Sequence, residues 1–491
     1  MIRKMAALSA ASLLALALAA CGGNSNDPGS SGDSAGLRML IQYGRFDPNE
    51  DYTAKAISEL TGYSVKYDML PAENADEKLN LLVANKEPYD LMKLSAPQFY
   101  NLASTGALEP LDDLLNQYGS DIKNAISASS WESAKLNGKV YGVPETGAGL
   151  TVSEELVVRQ DWLDELGLKM PTNIDELYNV LKTIKEKKNV VPLTASKDAV
   201  SSLLGDIAAA FGVTTDWVDQ NGTLVHQVET PQMKDYLAFM NKLYKEGLLD
   251  TELPLNTSAK MMEKFASGQA AMFKLAWYNA PSAINALLKN EPNARVALIP
   301  FLKDKNGKAT VYAASGTTWY AVVPKYAKHK EDAVKLLDAK LKPDVFKELA
   351  IGKEGVHYEV KDGKYYPILP KFTDDLNNAS NFMTGVDEKN YPDYWQARVR
   401  KDPTLQSYFE QMQKNAEGLL VTDPLASAPP IPQVAENKLN LLQLQLDEMV
   451  NFIAGTEPLS DYDKFVAKWK EQGGADMTQG ANEWYQSSKK K

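Results

Sequence analysis

A chain of 491 residues, 44% hydrophobic and 24% charged, is too long for one small core and too evenly mixed for wholesale disorder or a polytopic membrane protein. Its 64 acidic and 53 basic residues give a formal net charge of −11, which leaves no cationic footprint for nucleic acid. A single cysteine excludes an intramolecular disulfide and a cysteine-based zinc site.

Arg3 and Lys4 come first, followed by an unbroken run of apolar and small residues from Met5 to Ala20. This is the form of a signal peptide, and the run is shorter than the roughly 20 residues of a membrane-spanning helix. It ends Leu18-Ala19-Ala20-Cys21, small residues set immediately before the one thiol, which resembles a bacterial lipobox. The resemblance implies removal of residues 1–20, a diacylglyceryl and palmitate anchor on Cys21, and a body held at the extracellular face of the plasma membrane. Each buried acyl CH₂ contributes about 0.8 kcal/mol to such an anchor. Loss of Arg3 and Lys4 takes the net charge from −11 to −13. Residues 21–36, rich in Gly, Ser, Asn and Asp, read as a flexible tether. Within it Gly32-Asp33-Ser34-Ala35-Gly36 has the G-x-S-x-G form of a nucleophile elbow, without the strand before and helix after that the chemistry requires.

From Leu37 the pattern becomes βα alternation. Leu37 to Tyr43, closed by Gly44, is a short apolar strand. A helix follows from about Tyr52 to Leu60 with Ala56, Ile57 and Leu60 on one face, stopped at Thr61-Gly62. A second strand over Ser64 to Met69, a helix over Ala75 to Ala84 and a third strand over Pro88 to Leu94 complete βαβ units, which imply a mostly parallel sheet. Ligands of such sheets bind beyond the carboxyl ends of strands, here Tyr43 to Asp47 and Ser95 to Tyr100. Glu145-Thr146-Gly147-Ala148-Gly149 then joins two strand-like runs and has the freedom of a hinge crossing. A short helix over Asp161 to Gly167 and another opened by Thr172-Asn173 lie beyond it, and Asn221-Gly222 and Asp362-Gly363 mark hairpin turns. Ala313 to Thr318 offers a return crossing.

Five segments carry a family resemblance: Leu108-Glu109-Pro110-Leu111-Asp112-Asp113-Leu114, Gly138-Lys139-Val140-Tyr141-Gly142-Val143-Pro144, Arg159-Gln160-Asp161-Trp162-Leu163, Phe265-Ala266-Ser267-Gly268-Gln269-Ala270-Ala271-Met272 and Gly352-Lys353-Glu354-Gly355-Val356-His357-Tyr358. In their order and spacing the chain from Leu37 onward resembles the carbohydrate-type family 1 solute-binding lipoproteins of ABC importers. That resemblance implies an α/β fold of two lobes that close on a ligand and dock on a membrane permease. The expected division is 37–146 plus 317–370 for the first lobe and 147–316 plus 371–491 for the second.

An oligosaccharide site needs flat apolar faces for sugar C–H surfaces and polar groups for hydroxyls. Trp277-Tyr278 follows the strand-like Ala271 to Leu275 and resembles the family position where an aromatic reaches the cleft; its alternative is a core plug. Tyr394-Trp395 stands where related proteins present stacking aromatics, with Asp393 and Arg398 as hydroxyl partners. Tyr43, Arg45 and Asp47 follow the first strand, Glu145 lies at the first crossing, and Trp319 follows the second; for these a surface or core role is the competing reading. Trp131, Trp162, Trp217, Trp469 and Trp484 are expected in the packing.

No catalytic or metal signature accompanies these residues. His226, His329 and His357 are scattered, no P-loop is present, and Asp304-Lys305-Asn306-Gly307 reads better as a turn than as a calcium loop. The expectation is a monomeric, cofactor-free receptor that takes an oligosaccharide and passes it to ABC permease subunits, binding no nucleic acid. A lipid-anchored glycoside-processing enzyme and a peptide cargo are the alternatives. The net charge weighs against acidic uronides, although Arg45, Arg398 and Arg400 can reverse it locally.

Overall fold

The computed structural model describes residues 36–147, 149, 151–197, 206–313, 316–426, 428–429 and 431–489. The leader, Cys21 and the tether to residue 35 lie outside the described residues, as do residues 148, 150, 314 and 315 of the two expected crossings.

The first sheet begins with Leu37–Ile41, whose four apolar residues are buried while Arg38 is half-buried. It pairs in parallel with Val65–Met69 on one side and Leu91–Ser95 on the other. Thr317–Val322 then adds antiparallel to Leu91–Ser95, and Val143–Thr146 antiparallel to Thr317–Val322. The sheet is therefore mixed: the βαβ reading holds for its first three strands, and the chain's return from the second sheet supplies the reversed one. The intervening helices are bounded as their sequences require. Asp51 accepts from the Thr53 N–H at 2.8 Å to cap Tyr52–Thr61, and Gly62 closes it at φ 77°.

The second sheet runs Val296–Leu298, Glu154–Arg159, Ala270–Ala276, Val191–Leu193. Every residue of Ala270–Ala276 is buried, so this strand shows no alternation in its sequence. Glu154–Arg159 sends Leu156 and Val158 into one apolar core and Val157 into another on the opposite face. Over it packs Ile174–Lys188, where Leu177, Val180, Leu181 and Ile184 form the buried stripe and Asn173 caps the Glu176 N–H at 3.0 Å. The C-terminal helices Pro432–Ala454, Tyr462–Trp469 and Ala475–Ser488 join the same core through Met449, Phe452, Phe465, Trp469 and Ala481. Gly474 makes that close packing possible, since a Cβ there would fall 2.3 Å from the Trp469 ring.

Residues 371–397 pack with the first sheet. Phe372, Leu376, Phe382, Val386, Tyr391 and Ala397 all belong to the core of the first sheet, although the sequence assigned them to the second lobe. The chain returns to the second core only after Tyr391–Val399, where the helix Pro403–Asn415 delivers Met412 to the core around Val157 and Phe273. No described helix is long and apolar enough to cross a membrane.

Candidate functional site

Two segments from different cores meet at one pocket. From the second sheet, Ala270–Ala276 runs into the single helical turn Trp277–Asn279, fixed by the Trp277 N–H donating to the Ser153 carbonyl at 3.1 Å. From the first core comes Tyr391–Val399, and after it Pro403–Asn415, started by Asp402, whose Oδ1 accepts from the Leu405 N–H at 2.8 Å. The pocket between them measures about 340 Å³ and is lined by Trp277, Tyr278, Trp395, Arg398, Lys401 and Asp402, with Leu405 among the apolar remainder. That volume falls in the range of small-ligand sites, about 300–1,000 Å³.

Its walls are aromatic and set at right angles. The Trp277 and Trp395 ring centroids are 5.4 Å apart at 89°, and Tyr278 stands 5.4 Å from Trp277 at 86°. Buried Phe409 supports both indoles, 5.4 Å from Trp277 and 5.3 Å from Trp395, beside Val399 and Leu405. Edge-to-face pairs of this kind add about 0.5–1.5 kcal/mol beyond burial and hold each ring in one orientation. The corner therefore presents flat apolar surface with a guanidinium, an ammonium and a carboxylate beside it.

Four of the eleven ligand-binding residues expected from sequence, Trp277, Tyr278, Trp395 and Arg398, come together here. The others lie elsewhere. Tyr394 turns into the first core, edge-on to Tyr365 at 5.4 Å and near Phe346 at 6.4 Å. Asp393 is exposed in the first turn of Tyr391–Val399. Tyr43, Arg45 and Asp47 are exposed after the first strand, where Asp47 Oδ1 accepts from the Asn49 N–H at 3.0 Å. Trp319 is half-buried, its ring 5.7 Å from Lys93 Nζ.

Glu145 lies apart from the pocket. It lies inside the first core at 6% exposure, with Lys93 Nζ donating to its Oε1 at 2.9 Å. Burial pushes its carboxyl upward against the opposing pull of Lys93, and its Oε1 is taken by that internal lysine. Lys93 also donates to the Ser380 carbonyl at 2.9 Å, and Lys340 to the Phe382 carbonyl at 2.6 Å. These two cations thus fasten the segment leading to the aromatic helix. Burial brings the Lys340 ammonium down to about 7.

Sequence reasoning missed Pro281, Val399, Lys401, Asp402 and Leu405 on the pocket and Phe409 behind it. Asp402-Pro403 carries a legible helix-start signal, but nothing local ties that start to Trp277. Asp304 Oδ1 accepts from the Asn306 and Lys308 N–H groups at 2.8 and 2.9 Å, so it closes a turn. Among the described residues no group of three or more His, Cys, Asp or Glu side chains is placed to hold a metal ion.

Residues 48–345 match the family described as bacterial extracellular solute-binding protein. Over 256 residues, 52% of this chain and all of the relative, the sequence is 61% identical to an "uncharacterized protein in butB 5'region" of Niallia circulans. It is 24% identical over 504 aligned positions, 96% of each chain, to the polygalacturonan/rhamnogalacturonan-binding protein YtcQ of Bacillus subtilis. An extracellular solute-binding protein from Bifidobacterium longum subsp. infantis shares the fold at a TM-score of 0.70 and 15% identity, over 92% of this chain and 98% of that one. Two sheets with separate cores, an aromatic pocket where their segments meet, and a family match across more than half the length identify the chain as a member of the bacterial extracellular solute-binding protein family, with its two-lobed α/β fold.

Proposed function

We propose that this chain is the lipid-anchored substrate-binding component of an ABC importer, which captures an oligosaccharide between two lobes and delivers it to the permease. The observation that carries this reading is the Trp277–Trp395 corner, built by segments of two different cores around a pocket of about 340 Å³. One lobe consists of 37–146 with 317–397, the other of 152–313 with 403–489, and Cys21 carries the anchor on the outer face of the membrane. A sugar that stacks on both indoles touches both lobes only when they are closed. Its binding therefore shifts the population to the closed form, which the permease distinguishes from the open one.

Thermal shift over a panel of oligosaccharides identifies a cognate ligand, since ligand at 100 times Kd stabilises by about 2.7 kcal/mol. Small-angle scattering with that ligand at saturation is expected to show a smaller radius of gyration than without it. An unchanged radius would remove hinge closure from the mechanism.

A further inference from the structure

We propose that the pocket takes an oligosaccharide bearing a carboxylate, a uronate residue, and that Arg398 supplies the matching positive charge. The inference deepens the oligosaccharide reading and rests on it.

Arg398 lines the pocket, and its charge is poorly answered within the protein. Nη2 donates to the Leu376 carbonyl at 2.8 Å, the guanidinium lies 5.8 Å from the Phe372 ring, and Nε is buried without an acceptor. No carboxylate of the described residues forms an ion pair with it. Burial pushes its pKa below the ordinary arginine range, with the Tyr391 phenol giving the opposing pull. A half-buried cation whose Nε is enclosed without an acceptor, and which has no carboxylate partner, is costly, and a guanidinium is the side chain whose planar donors best fit a carboxylate.

The surroundings do not supply the missing charge. Asp402 lines the same pocket, but its Oδ1 is engaged by the Leu405 N–H as a helix cap. Lys401, exposed beside it, adds a second cation that forms no ion pair with the described residues. Deeper in the first core, Glu145 answers Lys93, and Lys340 has only the Phe382 carbonyl as a hydrogen-bond partner. Among the residues that line the pocket, Arg398 and Lys401 stand against the single carboxylate of Asp402, although the chain as a whole is acidic. Cleft potential is local, so the net charge does not decide the ligand.

The test is a titration of the full mature chain by calorimetry with trisaccharides of galacturonate, glucuronate and mannuronate, each beside its carboxyl-reduced neutral counterpart, at low and high salt. At least one acidic sugar is expected to bind about tenfold or more tighter than its counterpart, with a preference that shrinks as salt rises. In Arg398→Gln that ratio is expected to collapse toward one, and Lys401→Gln to reduce it only slightly. If Arg398→Gln does not fold, the ratio and its salt dependence in the unmodified chain still decide. Neutral sugars that bind as tightly as the acidic ones, or a ratio unchanged in Arg398→Gln, would overturn the inference and leave the oligosaccharide reading intact. Binding of neither kind would overturn both.

Discussion

At the scale of single residues, the second sheet hides a carboxyl whose contribution to stability falls as pH rises. Glu155 has no exposed surface; Asn415 Nδ2 donates to its Oε1 at 2.7 Å, while Oε2 is buried without a partner. Burial raises its pKa to about 9, the Asn415 hydrogen bond opposing and neighbouring Asp206 reinforcing the shift. A carboxyl raised in the folded state is protonated there while the unfolded chain is ionised. Stability is therefore fully present below the unfolded value near 4.5 and is lost progressively as pH climbs toward about 9. Glutamine keeps the shape and the acceptor for Asn415 but cannot ionise. Glu155→Gln is thus expected to match the unmodified chain near pH 4 and to gain on the order of 2 kcal/mol at neutral pH, measured by urea unfolding across that range. A gain that does not grow with pH would show that the carboxyl is not held neutral. His226 acts in the opposite direction: buried and stacked 4.7 Å from Trp469, it is pushed down to about 4, so its contribution is lost as pH falls from 6.5 through that value.

At the scale of elements, much of the fold was legible because its signals are local. Asp51 and Gly62 bound one helix, Asn173 starts another, and Asn221 and Gly222 both take positive φ in the hairpin turn between Trp217–Gln220 and Thr223–His226. Less legible were strands such as Ala270–Ala276, buried on both faces and therefore without alternation, and the antiparallel placement of Thr317–Val322, which depends on where the chain returns. Pairings between distant elements left no sequence trace at all. Gln413 on Pro403–Asn415 accepts from the Val152 N–H and donates to the Val152 carbonyl, each at 2.9 Å, as a neighbouring strand would. This side chain clamps the segment that enters Glu154–Arg159. Gln413→Leu leaves both backbone groups of buried Val152 without that partner, and about 2–4 kcal/mol of stability should be lost. Chemical denaturation measures it, and a loss below about 0.5 kcal/mol would mean that water replaces the clamp without cost.

At the scale of the whole molecule, the site was half legible. The aromatic pair Trp277 and Trp395 stood out in the sequence, yet Tyr394, Asp393 and Glu145 did not join it, because which neighbour of a conspicuous tryptophan faces the pocket is decided by packing from other segments. Residues 371–397 illustrate the same limit: their apolar positions announce a buried face but not which of two cores receives it. The two indoles bring segments of the two cores into contact. Each comes from a different core, each leans on Phe409, and they touch one another, so removing one also alters the support of the other. For a cognate oligosaccharide, Trp277→Ala and Trp395→Ala should each weaken binding by about tenfold or more. Because the rings share a contact worth about 0.5–1.5 kcal/mol, the double variant should lose less than the sum of the two single losses. Calorimetric Kd values for the four proteins close the cycle. Strict additivity would mean that the indoles meet the sugar independently, and affinity kept within about twofold in both single variants would move the sugar site away from this corner.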